Sequence, residues 1–234
     1  YRNICLTRAE KHNLLIVAPT FGKEHFPRAE GYDNVVVVGE DGTIAASEDW
    51  LYAVPARVLA ALRQAGVTRR DKVKLFGHSA GGQFVHRLLA TQSETPYEVA
   101  FPANSGWYTL PTLERRFPEG LGGLGLGDAE LARWLAWPMV IFAGDQDIVT
   151  DDPHLPAQPE ALAQGPMRYA RAHFMLDFAK AEAAKRGLPC NWTLITVPGI
   201  GHDGAAMSRA AAAYWYEGRI PSVEELKPEA TAVA

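Results

Sequence analysis

Apolar residues follow two patterns along the chain. Short continuous runs, typical of strands buried on both faces of a parallel sheet, occur at residues 14–18, 73–76, 99–101, 139–143 and 192–197. Apolar residues three and four positions apart, as on one face of a helix, occur within residues 2–12, 50–65, 84–89, 131–137, 166–186 and 206–214. Because strands and helices alternate, the sequence predicts an α/β fold with a mostly parallel, doubly wound sheet and helices on both faces.

Other segments lack these periods. Residues 104–138 are rich in glycine and proline and are expected to form an irregular, lid-like insertion that contains one helical piece. The β-branched residues 35–38 predict one more short strand. Residues 1–220 are predicted to form one domain, and the polar residues 221–234 a tail that frays.

Two of the predicted helices carry features that need a structure to interpret. Ser47 can cap the helix over residues 50–65, and Pro55 either marks the proper start of that helix or kinks it. Within the helix over residues 166–186, the charged run 168–171 is expected to be a solvated face.

A candidate nucleophile lies between a predicted strand and a predicted helix. Residues 77–82 are Gly-His-Ser-Ala-Gly-Gly, and the first five fit the pattern G-x-S-x-G. A strand, a sharp turn with a central serine and a helix together form a nucleophile elbow, in which flanking glycines avoid collisions with the backbone. The pattern predicts Ser79 as a nucleophile and the backbone N–H of Ala80 as a donor to an oxyanion.

Two further polar residues follow predicted strands. Asp147 comes after the strand at 139–143, and His202 after the strand at 192–197. Because the carboxyl ends of parallel strands share one edge of the sheet, we expect both side chains near Ser79. A serine hydroxyl needs a base to take its proton, and the base works best when an acid orients it. The sequence thus predicts Ser79 as nucleophile, His202 as base and Asp147 as acid.

Each partner of the serine has rivals nearby in the sequence. His78 and His86 are alternative bases, but the elbow is expected to turn His78 away from the serine, and His86 is expected to face away from the site. Asp145 is an alternative acid that is expected to brace the turn instead, and Asp151 and Asp152 are more distant choices.

Two residues are candidates for substrate contact. These are His78, inside the elbow, and Trp107, just past the strand that follows the nucleophile helix. Trp107 either lines the pocket for the acyl or alcohol group or packs as a core aromatic.

Composition narrows the possible partners. The net charge is −4 and basic residues form no block, which argues against nucleic acid or an anionic membrane as partner. No apolar run is long enough to span a bilayer. The two cysteines, Cys5 and Cys190, are either two thiols or one bridge. No targeting segment is visible, so the sequence assigns neither a compartment nor an oligomeric state.

The motifs together resemble the α/β-hydrolase family. They are GHSAGG at 77–82, FAGDQD at 142–147 and VPGIGHD at 197–203, in the family's chain order of serine, acid and histidine. Within the family the chain looks most like bacterial esterases related to polyhydroxybutyrate depolymerases and feruloyl esterases. This resemblance implies hydrolysis of a small or polymeric carboxylic ester through an acyl-enzyme, without cofactor or metal. A peptidase, thioesterase or lactonase on the same residues, or a non-catalytic binding module, are the alternatives.

The chain departs from the family at one point. The fold usually has a strand ending in His-Gly before its first helix, and the following loop supplies the second oxyanion N–H; no His-Gly precedes Tyr1. We therefore expect the functional molecule to carry further residues before Tyr1, or a separately held fragment. Otherwise residues 14–18 are that strand and residues 20–22 the oxyanion loop.

Overall fold

The computed structural model describes Ile4, residues 6–22, Val37 and residues 43–47, 50–93 and 95–227. The first elements are helix α1 (Leu6–His12), a 3-10 turn (Leu51–Ala53), helix α2 (Val54–Gln64), strand β1 (Val73–His78), helix α3 (Ala80–Thr91) and strand β2 (Tyr97–Ala103). They are followed by α4 (Asp128–Ala136), β3 (Val140–Gly144), α5 (Pro159–Leu162), α6 (Arg168–Arg186), β4 (Thr193–Val197), α7 (Gly204–Glu217) and α8 (Val223–Leu226).

The four strands found among the described residues form one parallel sheet. Their order, β1-β2-β3-β4, follows the order of the chain, and every neighbouring pair is parallel. All four carboxyl ends therefore lie along the same edge, which is where a parallel α/β sheet carries its ligand-binding loops.

Helices cover both faces of this sheet. On one face α3 packs on β1 and β2, and α6 packs on β3 and β4. Helix α7 packs on β1 and β3, and α1 packs on α7. Side chains of a strand alternate between faces, so in β3 Ile141 and Ala143 belong to one buried cluster and Phe142 to the other. The predicted doubly wound α/β fold is confirmed.

Local sequence explains several helix ends. Pro55 lies in the first turn of α2, where a missing N–H costs nothing, so it starts the helix rather than kinking it. Ser47 does not cap this helix, because the 3-10 turn separates them and Trp50 is the residue that precedes the turn. Gly187 ends α6 in the left-handed conformation at φ 66°, which glycine adopts without a steric penalty.

The prediction of a buried strand at residues 14–18 is wrong. These residues form no strand, and Leu15 and Val17 are 60% and 48% exposed. An apolar run is buried only if other segments pack against it, and the four-stranded sheet is built wholly from residues after Lys72. Val37 is buried, but the rest of the strand predicted at 35–38 lies outside the described residues.

The chain after Pro221 does not fray at once, contrary to expectation. The side chain of Ser222 accepts the N–H of Glu225, and the Glu225 side chain accepts the N–H of Ser222, so this capping box stabilises α8. Leu226 is fully buried within the cluster beneath α7.

The insertion predicted at residues 104–138 is irregular up to Gly127 and then forms α4. Tyr108, Leu110, Leu121 and Trp134 are fully buried in the larger cluster. These side chains therefore build the core, and a lid function of the segment stays a prediction.

Candidate active site

Ser79 lies at the tight turn between β1 and α3. Its backbone has φ 57° and ψ −120°, a conformation that a residue with a side chain rarely adopts and that costs of the order of 1–3 kcal/mol. Its N–H donates to the carbonyl of Ala103 at 2.9 Å, which ties the turn to β2. A Cβ atom at Gly77 would collide with the backbone of Gly81, so the turn requires glycine there.

The hydroxyl of Ser79 is not used as a helix cap. A serine at the N-cap position normally accepts an N–H of the first helical turn, but Ser79 makes no such bond. Its Oγ lies instead 3.0 Å from Nε2 of His202. Ala80 is the first residue of α3, so its N–H has no acceptor within the helix and is available to an anion.

His202 joins the serine to a buried carboxylate. Its Nδ1 lies 2.7 Å from Oδ2 of Asp147, whose side chain is 1% exposed. The His202 side chain is 28% exposed, so solvent can reach it. Ser79, His202 and Asp147 follow β1, β4 and β3, and they form one chain of hydrogen bonds at the carboxyl edge of the sheet.

Asp145 has a different set of contacts. Its Oδ1 accepts the N–H of Gly199 at 2.7 Å and the side-chain N–H of Gln146 at 3.1 Å. Asp145 thus braces the loop after β4 and lies apart from the imidazole. Asp152 forms an ion pair with Arg168, and Asp151 is exposed.

His78 packs against His202. The two ring centroids are 4.5 Å apart, and His78 is 8% exposed. Burial, reinforced by the charges of His202 and Arg168, lowers the pKa of His78 to about 3. His78 is therefore a neutral ring beside His202 near neutral pH, and its contact with a substrate stays a prediction.

His86 is held elsewhere by two hydrogen bonds. Its Nε2 accepts the N–H of Thr109 at 3.0 Å, so its Nδ1 carries the proton and donates to the carbonyl of Gly82 at 2.9 Å. Burial, assisted by the charge of Arg87, lowers the pKa of His86 well below its ordinary value. His86 joins α3 to the loop after β2 and has no bond to Ser79.

The sequence-based interpretation of residues 168–171 as a solvated face is wrong. Arg168 and Arg171 are 1% and 0% exposed, because the start of α6 packs against the loop after β3. Arg171 donates to the carbonyls of Gly165 and Gly106. Burial, reinforced by Arg168, lowers the pKa of Arg171 to about 10.

Sequence reasoning missed Asn104. This residue is buried at the end of β2 with φ 45°. Its Oδ1 accepts the N–H of Gly144 at 2.9 Å, and its Nδ2 donates to the carbonyl of Gly201 at 3.0 Å. Asn104 thereby links the loops that carry Asp147 and His202. The sequence did carry one signal for Asn104: it lies just after a predicted strand, at the edge of the sheet where the site lies.

Trp107 is half-buried and belongs to neither hydrophobic cluster. Cys190 is a half-buried free thiol, and Cys5 lies outside the described residues.

Across the part of the chain that the structure describes, no group of three or more His, Cys, Asp or Glu side chains could hold a metal ion. Nor does any helix in those same residues combine the length and apolarity that crossing a membrane requires.

A parallel α/β sheet with serine, histidine and aspartate side chains joined at its carboxyl edge has the architecture of a serine hydrolase. Two solved structures resemble the chain closely. The poly(3-hydroxybutyrate) depolymerase LpqC of Bordetella parapertussis is 52% identical, with a TM-score of 0.92, over 96% of this chain and 76% of that one. The poly(aspartic acid) hydrolase-1 of Sphingomonas sp. KT-1 is 30% identical, with a TM-score of 0.88, over 90% and 80%.

No protein-family model and no curated protein matches the chain. The identity and coverage of the two solved structures nevertheless define its family. The chain belongs to the α/β-hydrolase family, in the group that contains these polymer hydrolases.

Proposed function

We propose that this hydrolase cleaves carboxylic esters through an acyl-enzyme on Ser79, with His202 as general base and acid and Asp147 orienting it. The observation that carries the proposal is the continuous hydrogen-bond chain from Ser79 Oγ to His202 Nε2, at 3.0 Å, and from His202 Nδ1 to Asp147 Oδ2, at 2.7 Å. These distances are within the range that proton transfer requires.

The reaction has two halves. His202 Nε2 takes the Ser79 proton as Oγ attacks the ester carbonyl, and the resulting oxyanion accepts the N–H of Ala80. Collapse of this intermediate breaks the ester bond, and the leaving alcohol takes the proton from His202. A water molecule, deprotonated by His202, then attacks the acyl-enzyme. The bond between the acyl carbon and Ser79 Oγ breaks, Oγ takes the proton back from His202, and the acid is released. Residues 20–22 stay a candidate for a second oxyanion donor.

The surroundings of the site favour a neutral ester over a polyanion. Asp145 and Asp203 are at least partly exposed on the loops that carry Asp147 and His202, and their charges would repel a polycarboxylate. The next residues after Asp147 are the exposed apolar pair at 148–149, which suits an aliphatic chain. We therefore propose polymers or oligomers of 3-hydroxybutyrate as the substrate class, because the relative that is 52% identical is a depolymerase of that polymer.

The other relative supplies a second candidate. The poly(aspartic acid) hydrolase is 30% identical to the chain, so hydrolysis of that polymer is the alternative. Turnover of 3-hydroxybutyrate oligomers and of poly(aspartic acid) should be compared at several salt concentrations. Cleavage of the ester alone supports the proposal, and cleavage of poly(aspartic acid) alone rejects it.

The nucleophile is tested by labelling with a fluorophosphonate, followed by peptide mapping. We expect the label on Ser79, and Ser79→Ala should abolish labelling and lower turnover by a factor of about 10⁴ to 10⁶. The control is Ser93→Ala, since Ser93 is an exposed serine just after α3. A label on any other serine contradicts the proposal.

A further inference from the structure

A buried guanidinium lies behind the carboxylate of Asp147. Arg168 Nη1 is 3.7 Å from Asp147 Oδ1 and 2.7 Å from Asp152 Oδ2. The side chains of Arg168 and Asp147 are both 1% exposed. Oδ1 of Asp147 has no hydrogen-bond partner among the described residues, whereas Oδ2 is bonded to His202. The carboxylate thus lies between an imidazole and a guanidinium.

Stability alone is a poor explanation for a charge in this place. Removing a guanidinium from water costs several kcal/mol, and apolar side chains of equal volume often stabilise a protein as well as a buried ion pair does. The backbone at Arg168 is anchored beside Asp147, because Arg168 begins α6 and the next N–H, that of Tyr169, donates to the backbone carbonyl of Asp147 at 3.2 Å.

Asp152 is the counter-charge of this arginine. The N–H of His154 and the guanidinium of Arg168 hold the pKa of Asp152 below its usual range. The Asp152 side chain is 21% exposed, so the pair extends from the buried carboxylate to the surface. With both members charged, their charges cancel and leave Asp147 as the net negative charge facing His202.

We propose that Arg168 is a positioning residue for the proposed reaction. It holds Asp147 with Oδ2 towards His202 and, balanced by Asp152, sets how readily His202 accepts the serine proton. This inference rests on the proposed function, because it assumes that His202 is the base. It assigns separate effects to the charge of Arg168 and to the position of its guanidinium, whose Nη1 lies near both carboxylates.

Other titratable groups lie near this assembly: His78 from β1, Tyr108 from the insertion, Arg171 from α6, and Asp203 after His202. His78 is neutral near pH 7, and burial raises the pKa of Tyr108, which keeps the phenol neutral. Arg171 stays charged, and Asp203 accepts the N–H groups of Ala205 and Ala206 at the start of α7. The variants below alter none of these groups.

The test measures the rate of fluorophosphonate labelling of Ser79 as a function of pH. Labelling depends on a neutral base, and it can be measured without knowing the substrate. Arg168→Met removes a positive charge, so protonated His202 persists to higher pH, and the midpoint of the rising limb should move up by about 0.5–1.5 pH units. Asp152→Asn leaves the arginine unbalanced, and the midpoint should move down by a similar amount.

Two further variants separate charge from geometry and from non-specific effects. Arg168→Lys keeps the charge but replaces the planar guanidinium, whose Nη1 lies near both carboxylates, with a compact ammonium. The midpoint should therefore stay near that of the wild type while the plateau rate falls. Asp151→Asn removes one exposed charge at the neighbouring position and should leave both the midpoint and the plateau unchanged. A structural role alone would lower the amount of folded protein without moving the midpoints in opposite directions.

The outcomes are distinguishable from those of the proposed function. If Ser79 is labelled but the Arg168→Met and Asp152→Asn midpoints stay within about 0.2 pH units of the wild type, or move in the same direction, the positioning role is overturned and the proposed function stands. If Ser79 is not labelled at all, both are overturned. If Arg168→Met does not fold, Asp152→Asn compared with Asp151→Asn decides the matter, and an unchanged midpoint rejects the role.

Discussion

His78 should make this protein sensitive to acid, and replacing it with glutamine should remove much of that sensitivity. The side chain is 8% exposed and packs 4.5 Å from the ring of His202. Burial first, and then the charges of His202 and Arg168, lower its pKa from 6.5 to about 3, against a smaller opposing effect of Asp203. The folded protein therefore resists protonation of His78 over a range in which the unfolded chain accepts it.

The sign and size of the effect follow from proton linkage. Between pH 6.5 and about pH 3 the unfolded chain binds more protons at His78 than the folded protein does, so the free energy of unfolding falls as the pH falls. The contribution of the neutral ring is complete above pH 6.5. At pH 5 the loss amounts to about 2 kcal/mol, or about 4–8 °C in Tm for a chain of this size. A domain has only about 5–15 kcal/mol of stability in total.

The assay is urea unfolding, followed by tryptophan fluorescence at pH 8 and pH 5. Wild type, His78→Gln and His154→Gln are compared; His154 is exposed and serves as the matched control. Each protein is compared with itself at the two pH values, so packing losses caused by glutamine cancel, and the buried His86 contributes equally to all three. His78→Gln should lose about 2 kcal/mol less than the wild type between pH 8 and pH 5. Equal acid losses in the two proteins, within about 0.5 kcal/mol, would refute the reasoning.

Three further predictions concern the loops of the site. Asp147→Asn should lower ester turnover by about 10⁴, because an amide no longer fixes the tautomer of the base. Asp145→Asn should weaken only the bond to the Gly199 N–H. Equal losses of turnover in steady-state kinetics would mean that another residue is the acid. Asn104→Asp keeps the acceptor for the Gly144 N–H but places a buried carboxylate oxygen against the carbonyl of Gly201. Both kcat and the urea midpoint should therefore fall, and an unchanged kcat would show that the link between the two loops does not matter for turnover. Asn104→Ala loses both bonds and should cost about 1–3 kcal/mol in urea unfolding; an unchanged midpoint would contradict the contacts described.

Local sequence was sufficient for much of the fold. The apolar runs at 73–76, 139–143 and 192–197 become β1, β3 and β4, because strands surrounded by helices need apolar residues on both faces. The run at 14–18 has the same composition but no strand pairs with it within the described residues. Composition shows what a segment can bury, and the segments that pack against it decide whether it is buried.

The candidate site, like the fold, could be predicted from the sequence only in part. The motif around Ser79, the chain order and the two loops after β3 and β4 were all readable, because each residue follows a predicted strand and parallel strands end at one edge. The structure brings Ser79, Asp147 and His202 into hydrogen-bond distance, and their catalytic roles stay predictions.

By itself, the sequence determined that this protein has a parallel α/β sheet with a candidate nucleophile elbow at its edge. Only the tertiary structure decided which charges surround that elbow. A helical pattern with charged residues at 168 and 171 reads as a solvated face, yet Arg168 is buried between Asp147 and Asp152. Burial of a charge depends on carboxylates carried by a different segment of the chain, and that proximity arises only when α6 docks against the loop after β3.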